Sequence, residues 1–297
     1  GGLVSLQRRV HRRYRQRRFS GDLTSDLNTA VANGTAAITY TALVKDAKGN
    51  PVKNLRVSWA TDRGTFANGN TTSNTDNNGK ATIALTSTQA GRATVTATPG
   101  TGSTVTATPV IFTGDPATAR LDSSSITVLP NRNIVANNSD QATYSALVKD
   151  AHGNPVAGVT VTWSSNNGTL APTNQSVSGA DGVAIIKLTA TTARVTQVTA
   201  KLGSAAAVNA PSVTFIADTN TAKLTALVAT RTKITGSGGE QARLSATVKD
   251  HYDNPVPDVE VTWATTSQGT LNGNRSRTGP NGVAVIDLTS VLVAAGN

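Results

Sequence analysis

The sequence predicts an all-β chain of tandem antiparallel β-sandwiches, and three observations carry that expectation. The composition is rich in Thr, Val, Ala, Gly and Asn, with 4% aromatic and 15% charged residues and neither Cys nor Met. Chains of this kind build short strands and tight turns in place of helical bundles. A block of about a hundred residues recurs three times, the size of one small all-β domain. Inside each block apolar and polar residues alternate at the period of a half-buried strand.

The first part of the block reads TYTALVKDAKGNPVKNLRVSWA (39–60), TYSALVKDAHGNPVAGVTVTWS (143–164) and RLSATVKDHYDNPVPDVEVTWA (243–264). Trp59, Trp163 and Trp263 stand 104 and 100 residues apart, and Asp46, Asp150 and Asp250 keep those spacings. In the tryptophan-bearing strand Leu55, Val57 and Trp59 face one way, while Arg56, Ser58 and Ala60 face the other. The later copies give Val159/Val161/Trp163 and Val259/Val261/Trp263 on the same face. Apolar alternation partners place the three tryptophans in the core. The earlier strand turns Tyr144, Ala146 and Val148 inward. The later one turns Ala184, Ile186 and Leu188 inward and Lys187 outward. One buried and one wet face per strand is the signature of antiparallel sheets packed face to face.

Turn chemistry agrees. Asn78-Gly79, Asp181-Gly182 and Asn281-Gly282 are pairs that tolerate positive φ in tight connections. Asp-x-x-Gly-Asn-Pro (46–51 and 150–155) reads as a loop capped by its aspartate, whose side chain accepts from backbone N–H groups two residues on. Asp46, Asp150 and Asp250 are therefore expected to be turn-capping residues. Phe112 to Leu121 and Phe215 to Leu224 are junctions of nine residues each, without the Gly/Ser richness of a flexible linker. The expected layout is an arginine-rich arm at 1–20 and sandwiches at 21–115, 116–217 and 218–297. The last is C-terminally incomplete: it stops nine residues after Leu288, whereas the second copy runs 27 residues from Leu188 to Phe215.

V-K-D-x-x-G-N-P-V, then V-x-W, then D-G-x-A, resembles the bacterial immunoglobulin-like domain found in tandem in the intimin/invasin family. The resemblance covers roughly residues 21–297 in three copies; the third departs from it with Asp253 in place of the loop glycine. It implies immunoglobulin-like sandwiches forming an elongated rod, a stalk or spacer segment of an adhesin on the outer face of the bacterial outer membrane. Its implied partners are neighbouring domains of the same surface protein and a host-cell receptor reached through a tip domain that this chain lacks. Membrane attachment would come from an anchor outside this sequence. The alternative is an immunoglobulin-like module that contacts a host receptor or glycan through its own loops, although Tyr252 is the only aromatic suited to such a surface.

Catalytic and cofactor chemistry finds no footing. The histidines are His11, His152 and His251, and Lys48 replaces His152 in the first copy. Each Asp loop supplies one or two carboxylates, too few for a calcium cage, so neither metal nor cofactor is expected. Gly236-Ser237-Gly238-Gly239 lacks the Lys-Ser/Thr of a phosphate loop and reads as a hairpin connection. Seven of the ten units of net positive charge come from the arm's seven arginines; the remainder carries 20 basic and 17 acidic residues, a net +3, so no nucleic-acid partner is expected. No strand alternation appears at 17–24, so the arm is expected to take the place of part of the first opening strand. Lacking Met, the chain reads as a fragment or a processed product, and its first residues lack the apolar run of a signal peptide.

Overall fold

A computed structural model describes residues 22–266 and 268–292. The arginine-rich arm at 1–20 lies outside the described residues. The described chain holds no α-helix, only strands, turns and short 3₁₀ segments. It forms two compact units. One runs to Arg120 and takes in Lys149–Ala157; the other holds Leu121–Val148 and everything from Gly158 onward.

In the first unit the opening strand Asp22–Ser25 pairs antiparallel with the central strand Ile38–Leu43, which pairs in turn with Lys80–Thr86 and, beyond it, Thr65–Phe66. The opposing sheet runs Val105–Thr106, Val95–Pro99, the tryptophan strand Arg56–Thr61, and Thr72–Asn74. A small third sheet pairs Thr29–Val31 parallel with Val110–Thr113, whose other edge meets Gly91–Ala93. Inward residues of these strands, among them Tyr40, Val57, Trp59, Leu85, Val95 and Phe112, form one core. The opening strand corrects the expectation at 17–24. Leu23 pairs with Ala42 as Ile126 pairs with Ala146, and both lie inside. The strand is intact: its four residues match the four of Ile126–Leu129, and its pairing register is shifted by one, with Leu23 standing 103 residues before Ile126 where the tryptophans have 104.

The second unit repeats the plan. Ile126–Leu129, Ala142–Leu147, Val183–Thr189 and Thr169–Ala171 form one sheet; Gln175–Val177, Thr160–Ser165, Val198–Leu202 and Val208–Asn209 form the other. Ile134–Val135 again pairs parallel with the closing strand Val213–Ile216. The third repeat has the first of these sheets, made of Lys223–Ala229, Gln241–Lys249, Val283–Thr289 and Thr270–Leu271. Its tryptophan strand Glu260–Thr262 pairs only with Arg275–Arg277. Among the described residues nothing lies along the other edge of that strand. The effect on burial is direct. Leu227 pairs with Ala246 in the same register as Ile126 with Ala146, yet it is 70% exposed where Ile126 is 3%. Leaving such a side chain in water forgoes about 1.5–3 kcal/mol.

Candidate functional site: the aspartate–asparagine loop

The three aspartates cap their loops in the same way. Asp46 Oδ1 accepts from the N–H groups of Lys48 and Asn50, both at 2.9 Å. Asp150 accepts from His152 and Asn154, and Asp250 from Tyr252 and Asn254, again at 2.9 Å. The fourth loop residue has positive φ: Gly49 at 84°, Gly153 at 82° and Asp253 at 64°. An aspartate is among the side chains that tolerate this region, which accounts for the missing glycine in the third copy. Below the loop Gly79 packs so closely that a Cβ would stand 2.6 Å from the Val44 carbonyl, and Gly282 repeats this at Val248.

In the second and third copies the loop also grips the preceding repeat. Within the first unit Asn154 Nδ2 donates to the Thr88 carbonyl at 2.9 Å, and its Oδ1 accepts from the Ala90 N–H at 2.8 Å. Asp150 Oδ2 accepts from the Asp115 N–H at 2.9 Å, and Thr118 Oγ1 accepts from the Ala151 N–H at 3.1 Å. Within the second unit Asn254 holds Thr191 and Ala193 at 2.8 Å each. Asp250 takes the Asp218 N–H at 2.9 Å, and Thr221 takes the His251 N–H at 3.0 Å. A primary amide thus supplies the donor and acceptor that a neighbouring strand would offer, satisfying a C=O and an N–H two residues apart. Asp115 and Asp218 each cap the 3₁₀ turn that follows, accepting from the N–H two residues on at 3.0 Å.

Asp150 and Asp250 are fully buried without a cation beside them. Burial pushes each carboxyl up. The N–H of Asp115 or Asp218, with the side-chain and backbone N–H groups of Asn154 or Asn254, outweighs it, and both settle below the usual carboxylate range. Asp46 is also lowered, chiefly by the Asn50 N–H. Oxygens already taken by N–H donors favour an anion that stays in place and offer little to a metal. Among the described residues no group of three or more acidic or histidine side chains is placed to hold one.

The tryptophans lie between the sheets, 4%, 1% and 8% exposed for Trp59, Trp163 and Trp263. Each indole N–H donates to a serine hydroxyl at 2.8 Å, from Ser73, Ser176 and Ser276 in turn. His152 is exposed, and His251 stacks edge-on against exposed Tyr252 with ring centroids 4.8 Å apart. The asparagines Asn50, Asn154 and Asn254 escaped the sequence reading. The available signal was their constant position four residues after the aspartate, together with Thr-x-Ala at 88–90 and 191–193.

The bacterial Ig-like domain (group 1) family matches residues 20–113, 123–216 and 224–295. The chain is 32% identical over 291 residues to the inverse autotransporter adhesin YeeJ of Escherichia coli (strain K12), covering 92% of this chain and 12% of that protein. It is 37% identical over 199 residues to intimin of Escherichia coli O111:H-, covering 65% of this chain and 20% of that protein. The chain therefore spans a fifth or less of the curated relatives it matches. A solved structure of the Escherichia coli adhesin FdeC shares the fold, with a TM-score of 0.60 and 23% identity over 92% of this chain and 88% of that one. With its three matched copies, the chain belongs to the bacterial Ig-like domain (group 1) family.

Proposed function

We propose that the chain is a structural spacer, a stalk segment of a bacterial cell-surface adhesin of the intimin/invasin type. Its domains would run 21–115, 116–217 and 218–297, and its work would be to hold another domain away from the outer membrane. The observation that carries this reading is the repeated aspartate–asparagine loop, whose polar groups are spent on the preceding repeat and whose carboxylate is sealed from solvent in both filled copies. A loop committed in this way is a joint and leaves no reactive group facing a cleft. We read the chain as non-enzymatic, with neighbouring domains of the same surface protein as its direct partners. A receptor would be met by a domain outside this sequence. The relatives' names, intimin and an inverse autotransporter adhesin, support the cell surface as its place.

Small-angle scattering tests the spacer reading. The longest strands of the two complete sandwiches hold seven residues, about 23 Å of sheet at ~3.3 Å each; with the turns at both ends each domain adds roughly 30 Å, so three extend on the order of 100 Å. The expected particle is elongated with that maximum dimension, and a globule half as long would overturn the reading. The purified chain should also fail to bind host cells; saturable binding would assign it a ligand-contacting role instead.

A further inference from the structure

We propose that the loop Asp46–Asn50 of the first repeat is a docking site for a further Ig-like repeat, recognised through one backbone carbonyl and one N–H two residues apart. The inference rests on reading the chain as part of a longer array. The site is already formed. Asp46 holds Lys48 and Asn50 at the same 2.9 Å that Asp150 and Asp250 show for their own loops. What differs is occupancy: Asn154 and Asn254 are buried against Thr-x-Ala segments, whereas Asn50 is exposed. Among the described residues the Asn50 side chain bonds only to Asp46, through Nδ2 at 3.3 Å. In the filled copies the corresponding Oδ1 receives the Ala90 or Ala193 N–H.

The chemistry narrows the occupant. Asp46 Oδ2 matches the oxygen that takes the Asp115 and Asp218 N–H groups, so the partner must present an amide there and cannot be a phosphate or another anion. The carboxamide needs an acceptor and a donor side by side, which an extended backbone edge supplies and a helix, with its own groups paired, does not. A repeat of this family carrying Thr-x-Ala after its long inner strand and an aspartate in its exit turn meets both demands. Such contacts are few, so the covalent connection must supply the effective concentration that makes them form.

The test supplies that connection. Residues 121–226, the second repeat with its own exit turn, are fused ahead of Leu23 in place of 1–22; Leu227 and Leu23 occupy the same register against Ala246 and Ala42. Segmental ligation labels only the added repeat with ¹⁵N, and amide exchange is followed at its copy of Ala193. With Asn50 present that amide should exchange about tenfold more slowly than in Asn50→Ala or in Asn50→Asp, which lacks the donor, while core amides of the added repeat stay equally protected. In the original full chain Asn50→Ala should leave the melting temperature unchanged, whereas Asn154→Ala should lower it. Equal exchange with and without Asn50, an added repeat that fails to fold ahead of Leu23, or destabilisation of the original chain by Asn50→Ala would each overturn the proposal. None of these outcomes bears on the scattering test of the spacer.

Discussion

Truncating Trp163 to alanine should remove much of the second repeat's stability, and the size of the loss can be worked from its surroundings. The side chain is 1% exposed and lies against Tyr144 with ring centroids 6.1 Å apart and planes tilted by 50°. A buried aromatic of this size hides ~150–250 Å². At about 25 cal/mol per Å² that is roughly 4–6 kcal/mol, an upper value because the unfolded chain also buries part of it. Measured tryptophan truncations in cores cost about 3–5 kcal/mol once the cavity is included. The lost hydrogen bond adds little, since half-buried Ser176 can turn to water. About 4 kcal/mol is a large part of a typical domain's 5–15 kcal/mol. Native-state hydrogen exchange at Tyr144 and Ile186, followed against denaturant, reports this repeat without interference from the others. The opening free energy should fall by about 4 kcal/mol. A fall below about 1 kcal/mol would refute the placement of the indole between the sheets.

Tyr144→Phe should cost about 1 kcal/mol in denaturant melts, because it orphans the Pro211 carbonyl that the Tyr144 hydroxyl reaches at 2.8 Å. Tyr40→Phe should be neutral or stabilising, since the buried Tyr40 hydroxyl has no partner among the described residues. Gly114→Ala would put a Cβ 2.1 Å from the Pro155 carbonyl oxygen. It should destabilise by about 1–3 kcal/mol and speed exchange of the Asp115 amide. Acid should weaken the filled loops: Asp150 and Asp250 are depressed in the folded state, so their contribution is complete above the unfolded value of about 4. It fades as pH falls from there through the lower folded value, and thermal melts of Asp150→Asn should show a flatter acid limb than the parent. Limited proteolysis should cut first within 218–292, where Leu224, Leu227 and Val228 are all more than 60% exposed; protection equal to that of the second repeat would contradict this.

Much of the sandwich was legible because its long strands are buried on one face only. Tyr144, Ala146, Ile186 and Leu188 alternate with exposed or half-exposed neighbours, and period 2 has few other readings. The opening strand is illegible because its four residues, Asp22–Ser25, show a single buried side chain, too few to display a period of two. Strands of two and three residues such as Ile134–Val135 and Thr29–Val31 carry no period at all. They exist because the closing strand offers its edge to them. The loop aspartates were visible through the local turn rule, which needs only the next few residues. The asparagines were not, because Asn154 acts 64 and 66 residues away in sequence, on backbone groups that any residue carries.

Under tension the parallel pairing near the ends of each complete repeat decides how force is borne. Thr29–Val31 enters the first sandwich and Val110–Thr113 leaves it, and the two run in the same direction. Pulling the ends apart slides one segment along the other, so the pairs Ile111↔Thr29, Phe112↔Ala30 and Thr113↔Val31 are strained together in shear. A hairpin opened from its free end gives way one bond at a time. Ile134↔Phe215 and Val135↔Ile216 lock the second sandwich likewise. No parallel pair of this kind occurs among the described residues of the third, which should be the first of the three to extend when the chain is stretched.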